Sequence, residues 1–155
     1  MKPTLRTGLT HRFAYKVPAS KTVPHTYPEA PEIASMPNVF ATGFMIALME
    51  WTCMQLLAPH LDPGEGSVGV HVDVSHLAAT PIGMTVTVDV ECVEIVGPRI
   101  AFRVKAHDGA DLIGEGRHER FVVEWDKFKA RVAAKAEKVG EWPAAYREWR
   151  VASGE

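Results

Sequence analysis

Four side chains in this sequence stand out as candidates for chemistry, Thr42, Glu50, His76 and Arg120, and the first three have the types and settings to act on a carbonyl group. Glu50 lies inside VFATGFMIALMEWTCMQLLA, residues 39–58, as the only charged residue of the segment. A buried charge without compensation costs several kcal/mol, so a carboxylate there is either paired structurally or functional. His76 ends the alternating run Val70, Val72, Val74, on the side that a half-buried strand turns toward its core. Thr42, next to Gly43 near the start of the apolar segment, reads as a helix cap, a buried hydroxyl or a reacting group. Each residue alone has a plain structural explanation. Together, a buried Glu, an inward His and a Thr–Gly at a helix start can attack and polarise a carbonyl, with the helix amides favouring developing negative charge.

Other chemistries fit less well. GEGSVG, residues 64–69, matches the spacing of a dinucleotide fingerprint. That motif works when it follows a strand and opens a helix, whereas here it follows a helical segment and opens a strand-like one. A glycine-rich turn is expected. The sequence has no GxSxG elbow, HExxH or CxxC pair. His71, His76 and His118 have no diagnostic ligand spacing, so no metal is expected. Cys53 and Cys92 sit in apolar patterns and read as small core residues of a reduced, cytoplasmic protein. The N-terminus has no apolar core of a signal peptide. A net charge of −2 gives no basic bias toward nucleic acid. Residues 39–58 have the roughly 20-residue length of a membrane span. However, Thr42, Gly43, Glu50, Thr52 and Gln55 interrupt them, and a central acid is costly in lipid. A soluble core helix is expected instead of a membrane segment.

The elements that must position these residues follow from periodicity. At 155 residues the chain is most economically one domain. Leu9, His11, Phe13, Tyr15 and Val17 alternate with polar residues as in a half-buried strand. A connection over residues 18–38 carries five prolines and reads as a lid-like or crossover loop, with EAPEIAS forming a short helical turn. The helix over about residues 39–58 stops near Pro59. Being apolar all round, it should be buried on most sides. Four strand-like segments follow, ending with DLIGEGRHERFVVEW, where Gly114 and Gly116 share a face with His118 and Arg120. Glycines there would let another backbone approach closely. VGPR and HDGAD read as hairpin turns. Consecutive antiparallel strands around one apolar helix make an α+β domain over residues 1–138. An amphipathic helix closes it, and the tail over residues 139–155 carries no motif that can be interpreted.

The segments FATGFMIALMEW, DPGEGSVG, SHLAATPIGMTVTVDV and AHDGADLIGEGRHERFVV resemble the fluoroacetyl-CoA thioesterase branch of the hotdog-fold thioesterases, over about residues 7–128. The resemblance implies a hotdog fold, a homodimer, and hydrolysis of an acyl-CoA thioester to a carboxylate and free CoA. It implies no cofactor, CoA being part of the substrate. It marks Thr42, Glu50 and His76 as the catalytic set, and Gly69 and Arg120 as substrate contacts. Glu50 would attack the carbonyl or activate the water that does. Thr42 would orient Glu50 or the oxyanion, and His76 would activate water or protonate the departing thiolate. The pattern departs in the proline-rich connection, where Ile33 and Met36 align with lid phenylalanines of the fluoroacetyl-specific enzyme. Rival readings on the same fold are a non-catalytic acyl-CoA sensor and an enoyl-CoA hydratase or dehydratase. If Thr42 and Glu50 share one straight helix, eight residues at ~1.5 Å rise put them about 12 Å apart. Either the helix begins after Thr42, or two subunits share one pocket; the second is expected.

Overall fold

A computed structural model describes residues 1–139; the tail from residue 140 onward lies outside the described residues. The chain runs β1 (Thr10–Lys16), two single 3-10 turns, α1 (Pro31–Ala34), α2 (Thr42–Leu57), a third 3-10 turn, then β2 (Glu65–His76), β3 (Thr85–Val96), β4 (Arg99–His107) and β5 (Leu112–Glu124), and ends in α3 (Trp125–Val139). The five strands form one antiparallel sheet in the order β1-β3-β4-β5-β2. Its inner face packs on α2. Met45, Leu48, Met49, Cys53, Leu56 and Leu57 of the helix join Val86, Val88, Val90, Cys92, Ile100, Phe102 and Val104 of β3 and β4 in one core. The alternation read from β1, β3 and β4 is the alternation observed, and both cysteines are buried and unbonded.

The outer face carries exposed ion pairs between strands, among them Arg12–Asp89, Arg103–Glu91 and Arg117–Glu94. Such pairs contribute little to stability, but they mark this side as the solvated one. Among the described residues no helix is long and apolar enough to cross a membrane.

Three features differ from the sequence reading. First, β2 pairs with β5 and not with β3, so the strands are not all sequential neighbours. The reason lies in the β5 glycines. A Cβ on Gly116 would overlap the backbone of Asp73 and Val74, and one on Gly114 would meet the Met45 thioether at 2.7 Å. Here the close backbone approach expected of these glycines is met, and β2 is what approaches. Second, β2 carries a bulge. Gly69 pairs with Arg120 and His71 with Glu119, leaving Val70 as the extra residue. The inward parity therefore switches along the strand. Ser67 and Gly69 share the inner face with Arg120, and Val72, Val74 and His76 take that face beyond the bulge. Third, α2 is not buried on most sides. Trp51 is 46% exposed and Met54 43%, and Gly43 and Ala47 lie open beside them. Val70 and Val72 of the edge strand are exposed as well.

The proline-rich connection is tied down at its ends. The Ala41 amide donates to the Lys21 carbonyl, the Val23 amide to Val39, and the Phe40 amide to Thr80. Thr80 is in turn fixed by Asp108, whose carboxylate accepts from the Thr80 hydroxyl at 2.9 Å and from the amides of Ala110 and Asp111. Burial pushes the Asp108 carboxyl up, but these donors outweigh it and hold the group below the usual aspartate range. The β4–β5 turn thus anchors the start of α2. Between the ties the expected helical turn forms as α1.

Gly116→Ala should destabilise the fold by about 1–3 kcal/mol, the cost of overpacking a tight contact, through loss of β2 pairing. Urea unfolding measures it, and an unchanged midpoint would contradict the close approach of β2.

Candidate active site

Thr42 is the first residue of α2. Ala41 is the N-cap, and no side chain caps the helix. The Thr42 hydroxyl is thus free of capping, and its Oγ1 lies 2.7 Å from Nδ1 of His76, the last residue of β2. The other imidazole nitrogen, Nε2, is buried and has no hydrogen-bond partner among the described residues. The pair sits at the α2 N-terminus, whose first-turn amides have no carbonyl within the helix to bond.

Glu50 belongs to a second cluster. Its Oε1 lies 3.7 Å from Nη1 of Arg120 and 3.7 Å from Nε2 of His118, and its side chain is 34% exposed. The carboxylate passes so close to β2 that a Cβ on residue 69 would stand 2.5 Å from Oε1. Gly69 is therefore required by the approach of the carboxylate, and the bulge at Val70 is what turns it inward. The other glycines of the 64–69 segment also have structural duties. Gly64 adopts φ +83° in the turn before β2, and the Trp125 ring packs where a Gly66 Cβ would be.

Arg120 is buried, and its fork is held on three sides. Nε donates to the Ser67 hydroxyl at 2.8 Å, Nη2 to the Ser67 carbonyl at 2.9 Å, and Nη1 to Nε2 of His118 at 3.2 Å. Burial lowers its pKa while Glu50 raises it; guanidinium remains charged throughout the working range. Cys53 lies one turn beyond Glu50. Burial pushes its thiol up to about 12, so it stays protonated and serves as core.

Of the residues singled out from sequence, Thr42 and His76 come together, and so do Glu50, Gly69 and Arg120. The two groups do not meet within one chain. Both Thr42 and Glu50 lie on α2, which is helical from Thr42 onward, so about 12 Å and about 80° around the axis separate them. Ile33 and Met36 stand apart in the proline-rich excursion, Ile33 half-buried and Met36 48% exposed. His118 is the site residue that sequence reading did not assign. The signal was present, since it shares the β5 inner face with Gly114, Gly116 and Arg120. But a histidine in that setting reads equally as core.

Comparisons with known proteins bear on this arrangement. The profile of the fluoroacetyl-CoA-specific thioesterase family matches residues 21–126. The fluoroacetyl-CoA thioesterase of Streptantibioticus cattleyicolor is 53% identical over 135 residues, covering 87% of this chain and 97% of that protein. A solved structure of the fluoroacetyl-CoA-specific thioesterase, as a phenylalanine-to-alanine variant with fluoroacetate and CoA bound, superposes with a TM-score of 0.79. It is 53% identical and covers 80% of this chain and 99% of that one. A thioesterase superfamily member from Thermus thermophilus, 29% identical, superposes with a TM-score of 0.79 over 89% of this chain and 98% of that one. The fold is the hotdog fold of these thioesterases, and the chain belongs to the fluoroacetyl-CoA-specific thioesterase family.

Proposed function

We propose that the protein hydrolyses the thioester of a small acyl-CoA to the carboxylate and free CoA, in a pocket shared by two copies of the chain. The observation that carries this reading is the Glu50 carboxylate. It stands on an apolar helix beside a buried cation, is one-third exposed, and faces a glycine that leaves room beside it. A carboxylate so placed acts on a carbonyl carbon directly or takes a proton from an attacking water. Either route breaks the carbon–sulfur bond, leaves an oxygen from water in the product acid, and sends a proton to the departing thiolate. His76, held by the Thr42 hydroxyl with its other nitrogen free, is the proton carrier in this scheme. The first-turn amides of α2 stabilise the oxyanion. Gly69 keeps the space between Glu50 and β2 clear. Arg120, with its donors turned inward, supports the substrate through Glu50 from the floor of the pocket.

Geometry supports the shared pocket. α2 begins at Thr42, so the chain does not fold back to bring Thr42 to its own Glu50. Ala47, Trp51 and Met54 on α2 and Val70 and Val72 on the twelve-residue edge strand β2 are exposed apolar side chains, and β2 has unpaired backbone groups along its free edge. Such exposure calls for a covering chain. A second copy lying across it supplies Thr42 and His76 to the Glu50 of the first.

Thiol release from a panel of acyl-CoAs tests the activity. Acetyl-CoA and fluoroacetyl-CoA should both be hydrolysed, with a narrow ratio between them, because Ile33 and Met36 stand where the fluoroacetyl-specific enzyme has lid phenylalanines. Strong preference for fluoroacetyl-CoA would remove these positions as determinants. Tight binding without thiol release would favour an acyl-CoA sensor. Glu50→Gln should keep the fold and lose at least about a hundredfold in kcat; wild-type turnover in that variant would sink the mechanism. Mixing Thr42→Ala with Glu50→Gln subunits should restore part of the activity that each lacks, since one of the two mixed sites is then intact. No recovery on subunit exchange would place each site within one chain.

A further inference from the structure

His118 is 1% exposed on the inner face of β5, and its two nitrogens have unlike partners. Nδ1 lies 2.8 Å from the carbonyl oxygen of His71, which only accepts, so Nδ1 carries the proton. Nε2 lies 3.2 Å from Nη1 of Arg120, which only donates, so Nε2 presents its lone pair. Both contacts select one neutral tautomer. Among the described residues the charged groups acting on the ring are Arg120 beside it, Glu50 on α2, and Glu119 from the outer face of β5. Burial, aided by the Arg120 cation, lowers the imidazole pKa against the opposing pull of the His71 carbonyl and the two carboxylates, in keeping with that tautomer.

The Nη1 atom that bonds His118 is also the one nearest Glu50, yet it stays 3.7 Å from the carboxylate, beyond hydrogen-bond reach. An arginine beside a carboxylate ordinarily closes to a direct, charge-assisted bond. Such a bond would stabilise the carboxylate in its ground state and blunt it as nucleophile or base. Here Ser67 accepts from Nε and from one N–H of Nη2, and His118 accepts from one of the two N–H groups of Nη1 and so fixes where that nitrogen stands. We propose that His118 is a positioning residue, an acceptor that draws Arg120 Nη1 away from Glu50 so that the carboxylate stands beside a cation with its lone pairs free. This rests on the role of Glu50 proposed above.

Two substitutions separate the halves of the imidazole. His118→Gln retains an acceptor near the position of Nε2 and loses the donor to β2. His118→Asn retains a donor near Nδ1 and loses the acceptor. If His118 positions Arg120, His118→Asn lowers kcat by about tenfold or more with KM nearly unchanged, and His118→Gln stays within about threefold of wild type. A purely structural role predicts the reverse order, with activity following thermal stability in both variants, and that result overturns the proposal. If neither variant folds, nitrogen NMR of the wild-type imidazole decides. A protonated Nδ1 and bare Nε2 at neutral pH support it, and a protonated Nε2 overturns it. Glu50→Gln run alongside separates the two claims. Turnover retained there removes the role of Glu50 and this inference with it. Turnover lost there, with wild-type kcat in His118→Asn, removes this inference alone.

Discussion

Glu50 stands between Met49 and Trp51 on the helix that forms the core of the domain, and a charge in that place must be compensated without being neutralised. Arg120 supplies the opposite charge from β5, but a buried guanidinium needs acceptors of its own. Ser67 provides two and His118 a third. Each acceptor has a structural condition. Ser67 faces inward only because β2 is bulged after Gly69. His118 is oriented only because His71, just beyond the bulge, offers its carbonyl oxygen. The carboxylate itself fits only because residue 69 lacks a Cβ. One charge on one helix thus accounts for the bulge, the glycine and the inward histidine on two strands.

This chain of conditions explains what was legible in the sequence. The inward faces of β1, β3 and β4 were readable because alternation of apolar and polar residues reports burial directly. So was α2, whose apolar run is longer than any strand needs. The glycines of β5 announced a close neighbour but not which one, since strand order depends on contacts between distant segments. The bulge was invisible for a related reason. Val68, Val70, Val72 and Val74 continue an unbroken alternation, and an extra residue in the ladder leaves no trace in composition. The parity of Gly69 could therefore come only from resemblance or structure. His118 was hidden by its own normality, because one inward histidine among apolar strands is common.

The all-round hydrophobicity of α2 predicts burial on most sides, and the described residues of one chain bury one side of it. Leu48, Met49, Thr52 and Leu56 face the sheet, while Ala47, Trp51 and Met54 face outward. Trp51 is partly sheltered by edge-on contact with Phe13 and Tyr15, so β1 covers one flank of the open stripe. Among the described residues the flank toward β2 has no such aromatic cover. Glu50 lies on that flank beside Gly69, one-third exposed. Burial of the second side is thus a demand of the sequence that the described residues of one copy do not meet.

The proposed assembly meets that requirement and completes the site in the same step. A twofold contact is self-complementary: if residue i of one copy meets residue j of the other, then j also meets i. Thr42 at the helix start and Glu50 two turns later are therefore suited to being placed opposite each other across such an axis. Two helices running antiparallel side by side would set each start against the other's middle. The axial distance that keeps the two residues apart within a chain becomes the offset between two equivalent sites. In this arrangement the apolar stripe is the seam and the carboxylate lies at its edge. The same surface that would make one copy prone to association then serves to exclude water from the thioester.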